Sequence, residues 1–207
     1  MTGRGIRLVA ALAGLALASC GSSPPWTELF DGRTLQGWEK TDFGGEGEVT
    51  VAGGRLLLAP GEPLTGITWR GAAVATTNYE AEFCGARMDG MDFFAALTFP
   101  VGQSYCTLVL GGWGGEVVGL SNVDGFDADN NATRSLFEFT KGKFYVVRVQ
   151  VTDSHISAWI DGERIVHQAR RGHEFGQRPE VIPSQPFGLA SFGTDGAFTT
   201  IRWRRLR

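Results

Sequence analysis

The pattern of apolar and polar positions divides the chain near residue 25. Before that point an apolar run fills positions 6–18. Beyond it, helical periodicity is almost absent, and short alternating runs bounded by glycine, asparagine or aspartate recur from residue 48 to the end. A period of two over runs this short predicts half-buried antiparallel strands. Residues 49–52 and 55–58 flank Gly53-Gly54, a two-residue loop suited to positive φ. Further on, FYVVRVQVT, HISAWI and ERIVHQA follow one another across Asp153-Ser154 and Asp161-Gly162, and Asp-Gly between two such runs is a strong hairpin signal. Residues 187–192 and 197–206 predict the last two strands, joined through 193–196. Four stretches stay irregular, 40–48, 60–66, 111–134 and 170–185, and long loops of a compact domain are where function usually sits. The composition sharpens the picture: 30 glycines and 14 phenylalanines suit many tight turns and an aromatic core between two sheets. The expected fold is all-β, an antiparallel β-sandwich of the jelly-roll kind, formed as one domain by residues 26–207.

The first 25 residues have a different logic. Arg4 and Arg7 head the apolar run, which is too short for a permanent span, and Leu17-Ala18-Ser19-Cys20 closes it. This is the layout of a signal peptide over residues 1–19 ending in a lipobox, with Cys20 as the lipidated first residue of the mature chain. More than one acyl chain on that cysteine makes attachment to a membrane stable. Gly21 follows, with no aspartate there to argue for inner-membrane retention, so the expected location is the cell envelope, at the outer membrane or facing the periplasm. Ser22, Ser23, Pro24 and Pro25 make a short tether. The whole chain holds 19 Lys and Arg against 22 Asp and Glu, and Arg4 and Arg7 leave with the leader. That acidic balance argues against nucleic acid as a partner, because its binding needs a basic footprint.

A compact block opens the domain: Leu29-Phe30-Asp31-Gly32-Arg33-Thr34-Leu35-Gln36-Gly37-Trp38, in which a D-G turn leads through an apolar residue to a G-W pair. Read as the first strand, it resembles the opening motif of the 3-keto-disaccharide hydrolase domain family. The likeness continues through 79–83, through GKFYVVRV at 142–149, through Trp159-Ile160-Asp161-Gly162, and through the closing Gly188-Leu189 strand. The resemblance implies a concanavalin A-like or laminin G-like sandwich. It also implies hydrolysis of an oligosaccharide or glycoside whose ring already carries a ketone at C3. That ketone acidifies the C2 proton, so a base removes it, the aglycone leaves by elimination, and water adds back. Such chemistry needs a carboxylate or imidazole base and a donor or metal for the enolate oxygen. Family members often carry an Asn-Ser-Gly turn and a Gly-x-Glu-x-Gln strand; the matching region here, 88–125, has neither. A second reading is therefore a carbohydrate-binding lipoprotein module of laminin G-like type that performs no chemistry.

The segment richest in candidate chemistry is 111–138, GGWGGEVVGLSNVDGFDADNNATRSLFE. Trp113 offers a platform for a sugar face, Glu116 and Asn122 offer partners for its hydroxyls, and Asp124 or Asp127 offers a base; the plainer reading is a solvated glycine-rich loop. Asp127, Asp129, Asn131, Thr133, Ser135 and Glu138 also match positions 1, 3, 5, 7, 9 and 12 of a calcium loop, although Ala132 stands where glycine normally makes the turn. A structural Ca2+ held by Asp127, Asp129, Asn131 and Glu138 is thus a second expectation for this segment. Glu80 and Glu82 share one strand face, the spacing of an inverting carboxylate pair or simply of a solvent-facing strand. Of the histidines, only His173 lies on a long loop, where it could act as a base.

Cys84 and Cys106 remain. Outside the cytoplasm such a pair can oxidise, and a disulfide is one expectation. If their strands flank the one between them, the two sulfurs are roughly 9–10 Å apart, too far to bond, so a bridge requires adjacent strands. In apolar strands like EAEFCGAR and SYCTLVL, reduced cysteines packed as small hydrophobes are the alternative.

Overall fold

The computed structural model describes residues 24–207; the leader and Cys20 lie outside the described residues. Two short strands come first, β1 (Thr27–Glu28) and β2 (Trp38–Lys40), then a hairpin of β3 (Val49–Ala52) and β4 (Arg55–Leu58). The middle of the chain forms β5 (Leu64–Trp69), β6 (Tyr79–Asp89), β7 (Ala95–Val101), β8 (Ser104–Gly112), β9 (Val117–Ser121) and β10 (Ser135–Leu136). The C-terminal part adds β11 (Tyr145–Val151), β12 (His155–Ile160), β13 (Glu163–Ala169), a 3-10 turn (Pro179–Ser184), β14 (Gly188–Phe192) and β15 (Asp195–Arg205). One sheet, A, has the order β13-β12-β11-β6-β15-β4-β3, with β1 on β15. The other, B, has the order β10-β9-β8-β7-β14-β5-β2. Two antiparallel sheets packed face to face make the expected sandwich.

The hairpins follow from their turns. Val49 pairs with Leu58 and Ala52 with Arg55, and Gly53 and Gly54 both take positive φ, 58° and 78°, the mirror-image turn whose twist matches that of the strands. Asp161 and Gly162 do the same between β12 and β13, at 50° and 86°. Large apolar side chains from both inner faces fill the core, and Phe83 meets Phe198 edge to face at 5.7 Å.

Three departures from the pattern have physical causes. Strands β5 and β9 form inside stretches expected to be irregular, because both of their faces are covered and no polar alternation marks them. The block 29–38 is a turn rather than a strand: the Asp31 carboxylate accepts from the Arg33 and Thr34 amides at 2.8 and 2.7 Å. That turn delivers Leu29, Phe30 and Trp38 into the core, where the Trp38 indole donates to the Leu29 carbonyl at 2.8 Å and meets Trp69 at 5.1 Å. Finally, β14 and β15 do not pair; 193–194 carries the chain from sheet B to sheet A.

The expectation of a Cys84–Cys106 disulfide is corrected. Both cysteines are free: β6 and β8 belong to different sheets, and only one of the two thiols faces the space between them. Cys84 lies on the outward register with Glu80 and Glu82, while Cys106 points into the core, where burial pushes its thiol up to about 12. Glu80 and Glu82 are equally committed. Glu80 is only 3% exposed; it accepts from Arg204 Nε at 2.7 Å and Gln150 Nε2 at 2.8 Å. Glu82 accepts from Arg202 Nε at 2.9 Å. These carboxylates are cross-strand ties on sheet A, with no room for an inverting pair.

The G-W pair gives a direct test of what the opening block does. Gly37 has φ +81°, and a Cβ there would meet the Trp69 ring at 2.6 Å, whereas Gly44, at +82°, faces open space. Gly44→Ala therefore costs only the left-handed backbone penalty of about 1 kcal/mol, and Gly37→Ala costs about 3 kcal/mol because Trp69 must also move. Urea denaturation of both variants measures the difference, and equal losses would refute the packing argument.

Candidate functional site

Along sheet B, large and small residues alternate by face. Leu97, Phe99, Leu108, Leu110, Leu120 and Leu189 point inward; Ala96, Thr98, Thr107, Val109, Gly119, Ser121 and Ala190 point out, yet the outward set is buried too, apart from the open edges of a pocket. Loops cover it. Ala128 and Thr133 lie on Gly119, within 3.2 Å of where its Cβ would be, and Thr133 Oγ1 accepts the Leu120 amide at 2.8 Å. Gln177 donates to Thr98 Oγ1 at 2.9 Å and Thr107 Oγ1 at 3.1 Å. Thr68 donates to the Pro183 carbonyl at 3.1 Å.

Between these covers a pocket of about 180 Å³ remains open. Its floor is Ala96, Thr107, Val109 and Ser121; Phe93, Trp113 and Phe192 supply aromatic walls; Asp92, Arg178 and Glu180 supply charge. Phe93 and Phe192 lean together at 5.6 Å, and Trp113 is 38% exposed. Arg178 is held on both sides, donating from Nη1 to Asp127 at 3.2 Å and from Nε to Glu180. Glu180, and to a smaller degree Asp127, push its pKa above the ordinary arginine value, so the guanidinium stays charged. Asp92 differs: one carboxylate oxygen accepts the Phe93 amide at 2.7 Å, and it makes no ion pair among the described residues.

Trp113 sits at the tip of a turn in which Gly111, Trp113, Gly114 and Gly115 all have positive φ. A buried cation secures that turn. Arg87, 7% exposed on the core-facing register of β6, donates from Nη2 to the Gly111 and Gly115 carbonyls at 3.0 and 2.7 Å. Its guanidinium also lies over the Phe94 and Phe139 rings at 5.8 and 5.7 Å. Burial lowers the Arg87 pKa, and the nearby Asp92 carboxylate works against that shift.

The residues singled out in the sequence separate. Trp113 lines the pocket. Asp127 does not line it but orients Arg178, and it also accepts from Asn130 Nδ2 at 2.8 Å. Asp124 is part of a turn at the edge of sheet B, where it accepts the Glu174 amide at 2.8 Å and pairs with His173 Nδ1 at 2.7 Å; the amide first and His173 second lower its pKa. Asn122 accepts from Ser121 Oγ at 2.8 Å, and Glu116 is exposed in the turn before β9; neither lines the pocket. The calcium spacing does not fold into a cage. Asn131 donates its amide to the Leu120, Phe126 and Asp127 carbonyls at 2.7, 3.1 and 2.8 Å, so the loop winds around a side chain instead of an ion. Asp129 pairs with Arg134 at 2.7 Å, Glu138 is exposed, and no three His, Cys, Asp or Glu side chains among the described residues gather to hold a metal.

A family model described as the 3-keto-alpha-glucoside-1,2-lyase-like domain matches residues 25–207. The chain belongs to that family. No curated protein sequence matches it. Among solved structures, a Crh5 transglycosylase in complex with NAG is 13% identical at TM-score 0.60, covering 90% of this chain and 85% of its own. A candidate glycosyl hydrolase from Parabacteroides distasonis is 14% identical at TM-score 0.54, covering 88% and 94%. The carbohydrate binding module CBM66 from Bacillus subtilis is 15% identical at TM-score 0.50, covering 80% and 93%. At these identities the likeness is one of fold: the same two-sheet sandwich.

Asp92, Phe93, Arg178, Glu180 and Phe192 escape a reading by segment because three different connections deliver them. The signal that leads to them is the row of small outward residues on sheet B, which marks a face that must be covered. The Arg87 clamp makes a second test. Arg87→Met removes two charge-assisted hydrogen bonds to buried carbonyls and is expected to cost about 3 kcal/mol, with Trp113 emission shifted to the red. Trp113→Ala, at an exposed position, is expected to cost less than about 1 kcal/mol. Thermal denaturation and fluorescence together check this, and an unchanged Trp113 spectrum in Arg87→Met would show that the turn holds itself.

Proposed function

We propose that this protein is an exported, lipid-anchored enzyme of the cell envelope that cleaves 3-keto glycosides in the sheet B pocket. The observation that carries the reading is the pocket itself: aromatic walls for a sugar face, an unpaired carboxylate and an oriented cation in one cavity. Family membership over residues 25–207 supplies the reaction class.

The roles follow from how each charged group is held. Glu180 is bound to Arg178, so Asp92 is the carboxylate left to act as base. It takes the C2 proton; the electron pair left behind is delocalised onto the C3 oxygen as an enolate. Arg178, fixed by Asp127 and Glu180, stabilises that oxygen. Collapse of the enolate forms the C1–C2 double bond and expels the C1 substituent with its bonding electrons; the departing oxygen takes up a proton. Water added across the double bond completes a net hydrolysis.

The test is turnover of a 3-keto-glucoside by the purified protein. Asp92→Asn is expected to reduce kcat by roughly 10²–10⁴ and Arg178→Met by roughly 10²–10³, while Asp124→Asn leaves the rate within a few-fold. Absence of turnover in the unaltered protein, with sugar binding that disappears in Trp113→Ala, would replace this reading by the non-catalytic one. The missing Asn-Ser-Gly and Gly-x-Glu-x-Gln motifs favour that alternative, which uses the same pocket.

Anchoring is proposed from the leader and Leu17-Ala18-Ser19-Cys20. Metabolic labelling with palmitate in a bacterial host is expected to mark the protein, and Cys20→Ala is expected to abolish the label and move the protein out of the membrane fraction. A Cys20→Ala variant that keeps both would refute lipidation at that residue.

A further inference from the structure

A second concavity, of about 440 Å³, opens beside the first, and among the residues that line it are Gln103, Ser104, Asp153, Arg170, Arg171 and His173. Its character is the opposite of the whole chain, which carries a net charge of −3. Arg171 is exposed and makes no ion pair among the described residues. Arg170 is anchored by hydrogen bonds to neutral groups, among them Thr77 Oγ1 at 2.9 Å. The one carboxylate in the cup, Asp153, is turned toward two neutral donors, Thr77 Oγ1 at 3.2 Å and Asn78 Nδ2 at 3.0 Å. His173 is oriented by Asp124 through Nδ1 at 2.7 Å, which leaves Nε2 without a protein partner among the described residues. Two guanidiniums and an imidazole with an open nitrogen therefore share the cup with one carboxylate, Asp153, which interacts with Arg170 and leaves Arg171 as the guanidinium with no acid against it among the described residues.

The cup and the pocket are lined by the two ends of one short segment. Phe175 lines the cup and Arg178 lines the pocket, and the chain between them is pinned along the edge of sheet B. Asn122 and Gly176 exchange backbone hydrogen bonds at 2.7 and 3.1 Å, and Val123 bridges to Phe175. Three extended residues span no more than about 10 Å, so Phe175 and Arg178 lie within the length of a short saccharide, which would pass over Gln177 to reach both places.

We propose that the cup is an anion subsite of the same binding surface, selecting sugar chains that carry a carboxylate or sulfate on the residue next to the one in the pocket. The inference rests on the pocket being the sugar site. It names what no family likeness supplies, the charge of the substrate. Guanidinium groups favour planar oxyanions through paired N–H donors, and an exposed site of this kind gains selectivity more than raw affinity.

Calorimetric titration of the purified protein tests it, using a glucuronosyl-glucose disaccharide, its neutral glucosyl-glucose counterpart, a sulfated glucosyl-glucose and inorganic sulfate alone. The acidic disaccharide is expected to bind at least ten-fold tighter than the neutral one at low salt. That preference is expected to shrink as ionic strength rises and to vanish in Arg171→Glu, a substitution at an exposed position. The sulfated disaccharide distinguishes the two anion classes, and preference for either supports the subsite. Equal affinity for charged and neutral disaccharides, or a preference that survives Arg171→Glu, would overturn it. Inorganic sulfate competing as well as the acidic disaccharide would also overturn it, since the cup would then be an ion site unconnected to sugar. Trp113→Ala separates the two levels of the argument: loss of neutral-sugar binding reads the pocket, and loss of acid preference in Arg171→Glu reads the cup.

Discussion

The constraint on which the rest depends is the row of small residues on the outer face of sheet B. A strand whose inward side chains are leucine and phenylalanine and whose outward ones are glycine, alanine, serine and threonine cannot leave the outer face to solvent without exposing backbone and apolar floor. Something must lie on it. Here the cover consists of the loop containing Ala128 and Thr133, Gln177 and the 3-10 turn Pro179–Ser184, each tied down by hydrogen bonds to hydroxyls or amides of the sheet. Small floor residues let these segments approach closely, and where their coverage stops the pocket begins. The cavity is thus the uncovered remainder of a packing problem, and its polar rim consists of the ends of the covering loops.

The two sheets divide the charged residues between them. On sheet A, Glu80 and Glu82 are bound by Arg204 and Arg202 across adjacent strands, which fixes register and leaves neither of the two available. Around sheet B the ion pairs are oblique: Asp127 and Glu180 hold Arg178, and Asp124 holds His173. Each of these acids positions a guanidinium or an imidazole at the lip of a concavity. Arg87 extends the same principle inward. A buried guanidinium is costly, and its two carbonyl partners are the ends of the turn that carries Trp113, so the cost is offset where rigidity of the aromatic wall benefits.

Much of the fold was legible, and the reason is local. Gly53-Gly54 and Asp161-Gly162 specify their turns by φ alone, so the hairpins around them were readable with their boundaries. Strands β5 and β9 were not, because burial on both faces removes the alternation that reveals a strand. Trp113 was legible as an exposed aromatic among glycines. Asp124 and Asp127 were legible as acids in a loop, but acids in turns bind backbone amides and neighbouring side chains as readily as they do chemistry, and in this protein they support His173 and Arg178. The calcium spacing failed for a related reason: a one-dimensional register of oxygen-bearing residues says nothing of which end of an asparagine amide faces inward, and Asn131 turns its NH2 to three carbonyls.

The geometry also bears on how an anchored domain would work. Strand β1 joins sheet A on β15, and Trp26 just before it lies over the Arg202 and Arg204 guanidiniums at 4.8 and 4.3 Å. The chain therefore enters the domain on the layer opposite the pocket. If Cys20 carries lipid, the anchored end of the chain leads into sheet A, and the pocket of sheet B lies on the other layer. A pocket on the anchored side would be restricted to membrane-bound glycolipids; on the far side it is open to soluble fragments and to polymer ends.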